Sequence, residues 1–484
     1  MRQIGLLQAL VQTKLADRMT GEGRRKLQMR RFRRLVAHVR KNSPYFQEKF
    51  AGIPEDAPLS AYPVTTKKDL MANFDRWMTD SCVTRQEIDD FMSDLHNVGR
   101  KFKGKYLVYT TSGSTGNPCI ALYDDSATNV NAAVGFDRSF SRKEDLQKFM
   151  KSGGKTMALF ADNGFYLASG SVRYQLRKMP WKKKQMKTFE VRKPMPEIVK
   201  ALNDFQPSML GCYPSALQLI AAEQEAGRLN IHPAIIMTGG EHLDDSVRDY
   251  LERVFGCCVQ TNYSCTEGGT VACECTEKHF HINEDWVILE AVDQNNQPVP
   301  FGTQSAKVLL TNLSNFICPF IRFGITDRVV MHNTLCGCGK EGPWLTLEGR
   351  TDDILTFPGN IRIAPLSLYA ELKEIPSISR FQLIQQEDDR LELRLVCEDQ
   401  EVQFRQAQAR LTDYLGSFGI DSEIYLSEKL PETNSVSGKF QHIIEKRYKN
   451  PAAENSAAGL YILHFITYRH SGRPSAAQYR QPVC

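Results

Sequence analysis

Between residues 106 and 311 short apolar runs (156–160, 235–238, 257–261) alternate with longer amphipathic stretches (195–205, 215–226, 244–254). Apolar runs of four or five residues suit buried strands, and apolar positions three and four apart suit helices lying on them. The rhythm therefore predicts an α/β core of helices packed on a sheet. Residues 106–109 read as a strand, and 287–292 and 306–312 as a strand pair around the turn 293–300. The first hundred residues are polar and mostly helical in pattern, with Pro44, Pro54, Pro58 and Pro63 marking loops. Beyond a cluster of glycines and charges at 348–359, new strand-like runs (380–385, 391–396) and a helix (403–415) predict a second, smaller β-α-β unit. A boundary at about Arg350 follows. After Lys449 the composition becomes that of a linker, followed by a tail to Cys484 in which no chemistry is legible.

Composition fits this division, since 484 residues exceed one ordinary core. No run approaches the ~20 apolar residues of a membrane helix, and the start, broken by Gln3, Gln8, Gln12 and Lys14, makes a poor signal peptide. A cytoplasmic protein without a membrane span is expected. The net charge of +5 is concentrated at 24–41 and 181–187. In the first of these, Leu27, Phe32, Leu35, Val36 and Val39 share one helical face among Arg and Lys. Membranes or nucleic acids bind such helices, but no nucleic-acid motif accompanies it, and a surface helix docked by its apolar stripe is the expectation. Thirteen cysteines without a secretory signal argue for reduced thiols or metal. Cys273, Cys275, His279, His281, Cys336 and Cys338 are the cysteines and histidines spaced for it.

Candidate chemistry begins at Thr110-Thr111-Ser112-Gly113-Ser114-Thr115-Gly116-Asn117-Pro118, where small hydroxyls and glycines behind a strand suit a phosphate. No Gly-Lys-Ser/Thr closes the loop, so it is not a Walker A sequence. Gly239-Gly240-Glu241 ends a strand with a turn open to a flat ring. Tyr263-Ser264-Cys265-Thr266-Glu267-Gly268 offers an aromatic, a hydroxyl and a carboxylate for Mg²⁺. Asp327 could accept from two ribose hydroxyls, Arg350 and Asp352 lie at the boundary, and Ser437-Gly438-Lys439 puts a lysine on a glycine turn of the small unit.

In this order the segments resemble the adenylate-forming superfamily of acyl-CoA ligases, luciferases and adenylation domains, over about residues 106–448. Cys275, His281-Ile282-Asn283-Glu284-Asp285 and Cys336-Gly337-Cys338-Gly339 are similar to the zinc knuckle of its phenylacetate-CoA ligase branch, and Ser43-Pro44-Tyr45-Phe46 to that branch's opening helix. The resemblance implies a large multi-layered N-terminal adenylation domain (1–349), a small mobile α+β lid domain (350–449) and a tail (450–484). It also implies roles. Thr111, Ser112, Gly113, Ser114, Thr115 and Gly116 would hold the β- and γ-phosphates of ATP. Gly240, Glu241 and Tyr263 would flank the adenine, Thr266 the α-phosphate, Glu267 the Mg²⁺, and Asp327 the ribose with Arg350 close by. Asp352 would be the hinge, and Lys439 would reach the acyl carboxylate and α-phosphate. Cys275, His281, Cys336 and Cys338 would hold a structural Zn²⁺, with Cys273 or His279 able to replace a neighbour. The loop departs from the pattern at Asn117, where the family often has Lys.

The implied activity is adenylation of a carboxylic acid, aryl and phenylacetate-like, with the acyl group passed to coenzyme A. Residues 160–166 and 211–215 would wall the acyl pocket. The alternatives are an enzyme that loads a separate carrier protein or forms an amide, and a weakly active nucleotide-binding descendant, for which Asn117 and the tail speak. The oligomeric state is open, a homodimer included.

Overall fold

The computed structural model describes residues 3–111, 118–350, 355–363, 365–373, 375, 377–435 and 438–445. Ser112, Gly113, Ser114, Thr115, Gly116, Asn117, Asp352, Ser437 and everything from residue 446 lie outside these.

The apolar runs of the middle third become one nine-stranded sheet. Five strands are parallel, in the spatial order Met186–Glu190, Thr156–Phe160, Met209–Cys212, Ile235–Thr238 and Cys258–Cys265. Gly269–Glu274, Phe280–Ile282, Trp344–Arg350 and Asp327–His332 continue the sheet in antiparallel pairings. The helices Met195–Phe205, Pro214–Glu225 and Asp245–Phe255 bury Leu202, Phe205, Leu217, Ile220 and Leu251 against Met157, Leu159, Leu210, Ile236 and Val259 of the parallel strands. Period 3.6 on one partner and short apolar runs on the other gave the expected layering. Sequence pattern placed the end of the last parallel strand at residue 261, yet it runs to Cys265. Thr261 is the last residue facing the parallel neighbour. Beyond it Asn262 and Tyr263 pair antiparallel with Cys273 and Ala272, which supplies the backbone hydrogen bonds that a polar run does not advertise.

The strand pair Val287–Val292 and Lys307–Asn312 forms as expected, with Phe323–Ile325 as a third strand. The strands Tyr106–Thr110 and Ile120–Tyr123, on either side of the hydroxyl-rich loop, pair antiparallel.

The basic amphipathic segment is the helix Gly21–Asn42. Its stripe, Phe32, Leu35, Val36 and Val39, packs into a core with Phe46, Tyr62, Trp77 and Phe320. Several cations point inward too. Arg24, 8% exposed, donates to the carbonyls of Met19 (2.6 Å) and Glu341 (2.7 Å). The Arg31 guanidinium lies 3.4 Å from the centroid of the Trp286 ring. The docked-helix expectation is met. No helix among the described residues is long and apolar enough to cross a membrane.

From Leu355 the chain builds a separate α+β layer. Its four-stranded sheet comprises Glu423–Leu426, Arg390–Cys397, Ile378–Glu387 and Ile443–Glu445, with the helices Pro365–Lys373 and Gln400–Gly416. Leu355, Leu368, Leu383, Leu393, Leu411 and Ile443 form a hydrophobic cluster of its own.

Candidate active site

The carboxyl ends of parallel strands leave loops from neighbouring strands side by side, which is where open α/β sheets gather ligand-binding groups. The strand Ile235–Thr238 ends in Gly239-Gly240, and Met209–Cys212 in Tyr213. At Gly240 the backbone turns with φ +80°, which a side chain rarely tolerates. Space forbids one as well. A Cβ there would stand 3.1 Å from Lys439 Cε, 3.3 Å from Lys439 Nζ and 3.1 Å from the Tyr213 ring. The lysine of the small layer is thus laid directly on the glycine turn of the large one.

Glu241 follows, and its carboxylate is taken up three times. Oε1 accepts from the Phe440 N–H (2.7 Å) and the Ser215 hydroxyl (3.0 Å), and Oε2 from the Ser215 N–H (3.0 Å). Enclosure raises its pKa, while these donors and the Lys439 ammonium draw it back. For Lys439 enclosure acts the other way and lowers the pKa. Glu241 opposes this most, Arg350 adds to it, and Asp327 opposes it.

Asp327 opens the strand Asp327–His332 and faces Arg350 at the end of Trp344–Arg350. The Tyr263 hydroxyl donates to Asp327 Oδ2 (2.7 Å), and Arg350 Nη1 stands 3.8 Å from Oδ1. Arg350 also donates to the Thr326 hydroxyl at 2.8 Å. Thr266 and Glu267 occupy the turn between Cys258–Cys265 and Gly269–Glu274, and the turn is pinned from two sides. The Tyr123 hydroxyl donates to the Thr266 carbonyl (3.0 Å), and Asn312 Nδ2 to that of Glu267 (2.9 Å). Tyr123 lies on the strand leaving the hydroxyl-rich loop, whose base is closed by Thr111: its N–H donates to the Cys119 carbonyl (3.0 Å), and its hydroxyl accepts from the Cys119 N–H (2.8 Å). The Glu267 carboxyl is 7% exposed, and burial raises its pKa. Its own backbone N–H, the Cys119 thiol and the Arg350 guanidinium hold that rise back, while Asp327 adds to it.

Gly240, Glu241, Tyr263, Asp327, Arg350 and Lys439 therefore meet at one place, with Thr111, Thr266 and Glu267 on the adjoining turns. Two partners carried no signal in the sequence. Phe440 contributes a backbone N–H, which no side-chain type announces, and Cys119 is a buried thiol among apolar strand residues. Of the expected acyl walls, Phe160 and Tyr213 meet edge to face with centroids 5.0 Å apart. Asp162 is held by Arg173 (2.6 Å) and Thr188 (3.1 Å).

A second cluster lies on the antiparallel part of the sheet. One ligand-capable atom from each of Cys275, His281, Cys336 and Cys338 falls within 4.8 Å of all the others. Cys275 follows the strand Gly269–Glu274, His281 is on the next strand, and the two other cysteines come from the loop between Asp327–His332 and Trp344–Arg350. Cys273 is turned elsewhere, its thiol accepting from Asn283 Nδ2 at 3.8 Å. His279 lies beside the cluster, Nδ1 at 3.3 Å from Cys336 Sγ, with its ring stacked on Trp344 (3.8 Å).

No protein-family model matches the chain. The phenylacetate-coenzyme A ligase of Thermus thermophilus is 27% identical over 379 residues, 73% of this chain and 76% of the relative. Protein CapK of Staphylococcus aureus is 23% identical over 329 residues, 64% of this chain and 63% of its own length. A crystal structure of 2-hydroxyisobutyryl-CoA ligase in the postadenylation state with 2-HIB-AMP superposes with a TM-score of 0.66 at 18% identity, covering 89% of this chain and 91% of that one. The fold is that of the acyl-CoA ligases. The chain is a homologue of the Thermus phenylacetate-CoA ligase, and the resemblance read from the sequence holds. The 2-hydroxyisobutyryl-CoA ligase with 2-HIB-AMP and CoA in the thioesterification state superposes less well, with a TM-score of 0.55.

Proposed function

We propose that this acyl-CoA ligase homologue joins a small carboxylic acid to AMP at the expense of ATP and then passes the acyl group to coenzyme A. The observation that carries the reading is the seat of Lys439, a lid lysine laid on Gly240 within electrostatic reach of Glu241, Asp327 and Arg350. A carboxylate is a poor acyl donor because it would have to expel oxide, so it needs activation, and two anions must first meet: the substrate carboxylate and the α-phosphate. The Lys439 ammonium would stand between them, stabilising the charge that builds as the mixed anhydride forms. Asp327, oriented by Tyr263, would accept from the ribose hydroxyls. Thr266 would donate to the α-phosphate, and Thr111 with residues 112–116 would cradle the outer phosphates.

Glu267 fits a divalent cation, being a buried carboxylate whose burial raises its pKa. It would hold Mg²⁺, which when bound neutralises the charge of the departing pyrophosphate. The Cys₃His cluster fits Zn²⁺ in chemistry and compactness, and Cys275, His281, Cys336 and Cys338 would hold it as a closed structural site. Attack on the anhydride by a thiol requires Lys439 to leave, so the lid would turn about Asp352 between the half-reactions. The better superposition on the postadenylation structure supports reading the present lid placement as the adenylating one. The Phe160–Tyr213 pair and the Thermus relative support an aryl acid of the phenylacetate type.

Acid-dependent exchange of labelled pyrophosphate into ATP tests the proposal, with phenylacetate, benzoate, 2-hydroxyisobutyrate, octanoate and phenylalanine as the panel. Exchange with at least one acid is expected, followed by thioester formation when coenzyme A is added. Lys439→Ala is expected to cut exchange at least ~100-fold, the scale of a lost charge-stabilising group, while leaving thioester formation from supplied acyl-AMP largely intact. Absence of exchange across the panel would turn the reading towards a nucleotide-binding protein. Exchange without thioester formation would point to a carrier protein or amine as acceptor.

A further inference from the structure

We infer that Glu241 is a positioning residue of the adenylating half-reaction: its carboxylate latches the lid to the large domain through the peptide that follows Lys439. This rests on the role given to Lys439 above. The latch has a fixed half and a detachable half. On the fixed side, Ser215 is the second residue of the helix Pro214–Glu225, where backbone N–H groups have no partner within the helix. Its N–H and hydroxyl both donate to Glu241, at 3.0 Å each. These bonds lie within the large domain and aim the carboxylate whatever the lid does. The detachable side is the bond from Phe440 N–H to Oε1, at 2.7 Å, beside the charge of Lys439.

That bond fixes the peptide plane joining Lys439 to Phe440, and with it the direction in which the Lys439 side chain leaves the backbone. The same peptide is held at its other end, where the Lys439 carbonyl accepts from Asn434 N–H (2.8 Å), and on the N-terminal side of Lys439 the Gly438 N–H donates to the Asn434 carbonyl (2.9 Å), closing a turn. Gly438, at φ +66°, lies so close to Val191 and Arg192 that a Cβ would stand 2.9 and 3.2 Å from them. Arg192 donates to the Ser435 carbonyl at 2.6 Å and is itself tied to Glu190 at 3.0 Å. A long ammonium side chain has many rotamers, and reaching one point requires its backbone to be anchored first. Glu241 is an anchor that also acts on the ammonium directly, as the charge that most favours its protonated form. An anion suits the place because three donors converge on its two oxygens, whereas any neutral amide would set an NH₂ group against a backbone N–H. When the lid turns away the Phe440 bond is lost while the two Ser215 bonds remain, so the carboxylate stays aimed for the lid's return.

The test compares Glu241→Gln and Glu241→Asp with the parent protein and Lys439→Ala. It measures exchange of pyrophosphate into ATP with the most active acid of the panel above, and thioester formation from that acid's synthetic acyl-AMP and coenzyme A. Gln keeps the shape but cannot accept along both directions. Asp keeps the charge but draws the carboxylate back by one methylene from Phe440, and it serves if the Gln variant does not fold. For both, exchange is expected to fall about 10- to 100-fold, the scale of one charge-assisted hydrogen bond, and to fall several-fold more than thioester formation from the supplied acyl-AMP. Unchanged exchange, or an equal fall in both half-reactions, overturns the latch while leaving the role of Lys439 intact. If Lys439→Ala itself leaves exchange unchanged, the adenylating lysine and its latch fall together.

Discussion

Gly240 shows how much of this site rests on one missing side chain. The turn is left-handed, and the ammonium and Tyr213 ring fill the volume a methyl group would need. Gly240→Ala combines about 1–2 kcal/mol of backbone strain with a clash against the groups that must be in register. Adenylation is expected to fall at least tenfold with the thermal midpoint lowered by only a few degrees, as read from pyrophosphate exchange and calorimetry. His442 gives a second prediction at this scale. Its Nδ1 lies 3.0 Å from the Phe381 carbonyl, which only accepts, so Nδ1 carries the proton, and burial lowers the ring's pKa from 6.5 to about 4. Arg380 and His242 also disfavour the charged ring, and Asp244 favours it. The folded pKa is depressed for a group that gains charge on protonation, so the unfolded chain takes up the proton first. Stability is then full above about pH 6.5 and lost as pH falls towards 4, by up to about 3 kcal/mol. His442→Gln, whose amide can still donate to Phe381, should flatten that limb of a denaturation series run between pH 4 and 7. Lys439 and Asp327 were legible in the sequence because the roles proposed for them rest on their side chains. The Phe440 N–H was not, since every residue but proline has one.

At the scale of elements, the strands and their loops decide which cysteines meet. Cys273 and Cys275 are two apart, and alternation along a strand would put them on one face. The strand ends at Glu274 instead. Cys275 enters a turn in which its N–H donates to the His279 carbonyl (2.9 Å) and its carbonyl accepts from Lys278 N–H (3.0 Å), with Lys278 at φ +61°. Cys275 thus swings towards Cys336 (Sγ–Sγ 3.7 Å), while Cys273 stays against Asn283. Metal analysis of the purified protein should find about one zinc per chain, abolished by Cys336→Ser and retained by Cys273→Ala. Trp344, stacked between His279 and His332 at 3.8 and 3.9 Å beside the cluster, should report zinc removal as a change in fluorescence. Element identity was partly legible: periodicity gave three of the parallel strands, the helices packed on them and the strand pair 380–385 and 391–396 of the small layer, but not Met186–Glu190, Met209–Cys212, Glu423–Leu426 or Ile443–Glu445. Ends were less so, because the extension to Cys265 and the turn at Cys275 depend on partners that periodicity does not name.

Across the whole molecule, the two layers keep separate hydrophobic clusters and are joined by polar contacts and by the packing of Gly438 against Val191. The small layer has its own core. Among the contacts that join it to the large one are Glu241 with Phe440 N–H, Lys373 with Asp244 (3.1 Å) and Arg192 with the Ser435 carbonyl (2.6 Å). Such contacts suit the proposed departure and return of the lid. Leu383→Ala, at a fully buried position of that core, is expected to cost about 2–5 kcal/mol in the lid alone. Hydrogen exchange should then quicken in residues 378–426 and remain unchanged in the parallel sheet.

The sequence by itself determined the α/β class, the helical stripe that docks residues 24–41, the order of the nucleotide-handling segments and the residue types able to hold metal. These follow from periodicity and side-chain chemistry, which are local properties. Only the tertiary structure decided that Lys439 lies on Gly240, that Glu241 spends its carboxylate on Ser215 and Phe440, and that Cys275 joins the cluster while Cys273 does not. Each of those depends on where distant backbone segments are carried by sheet pairing and core packing, and a backbone N–H or a turn angle leaves no mark in the identity of a residue.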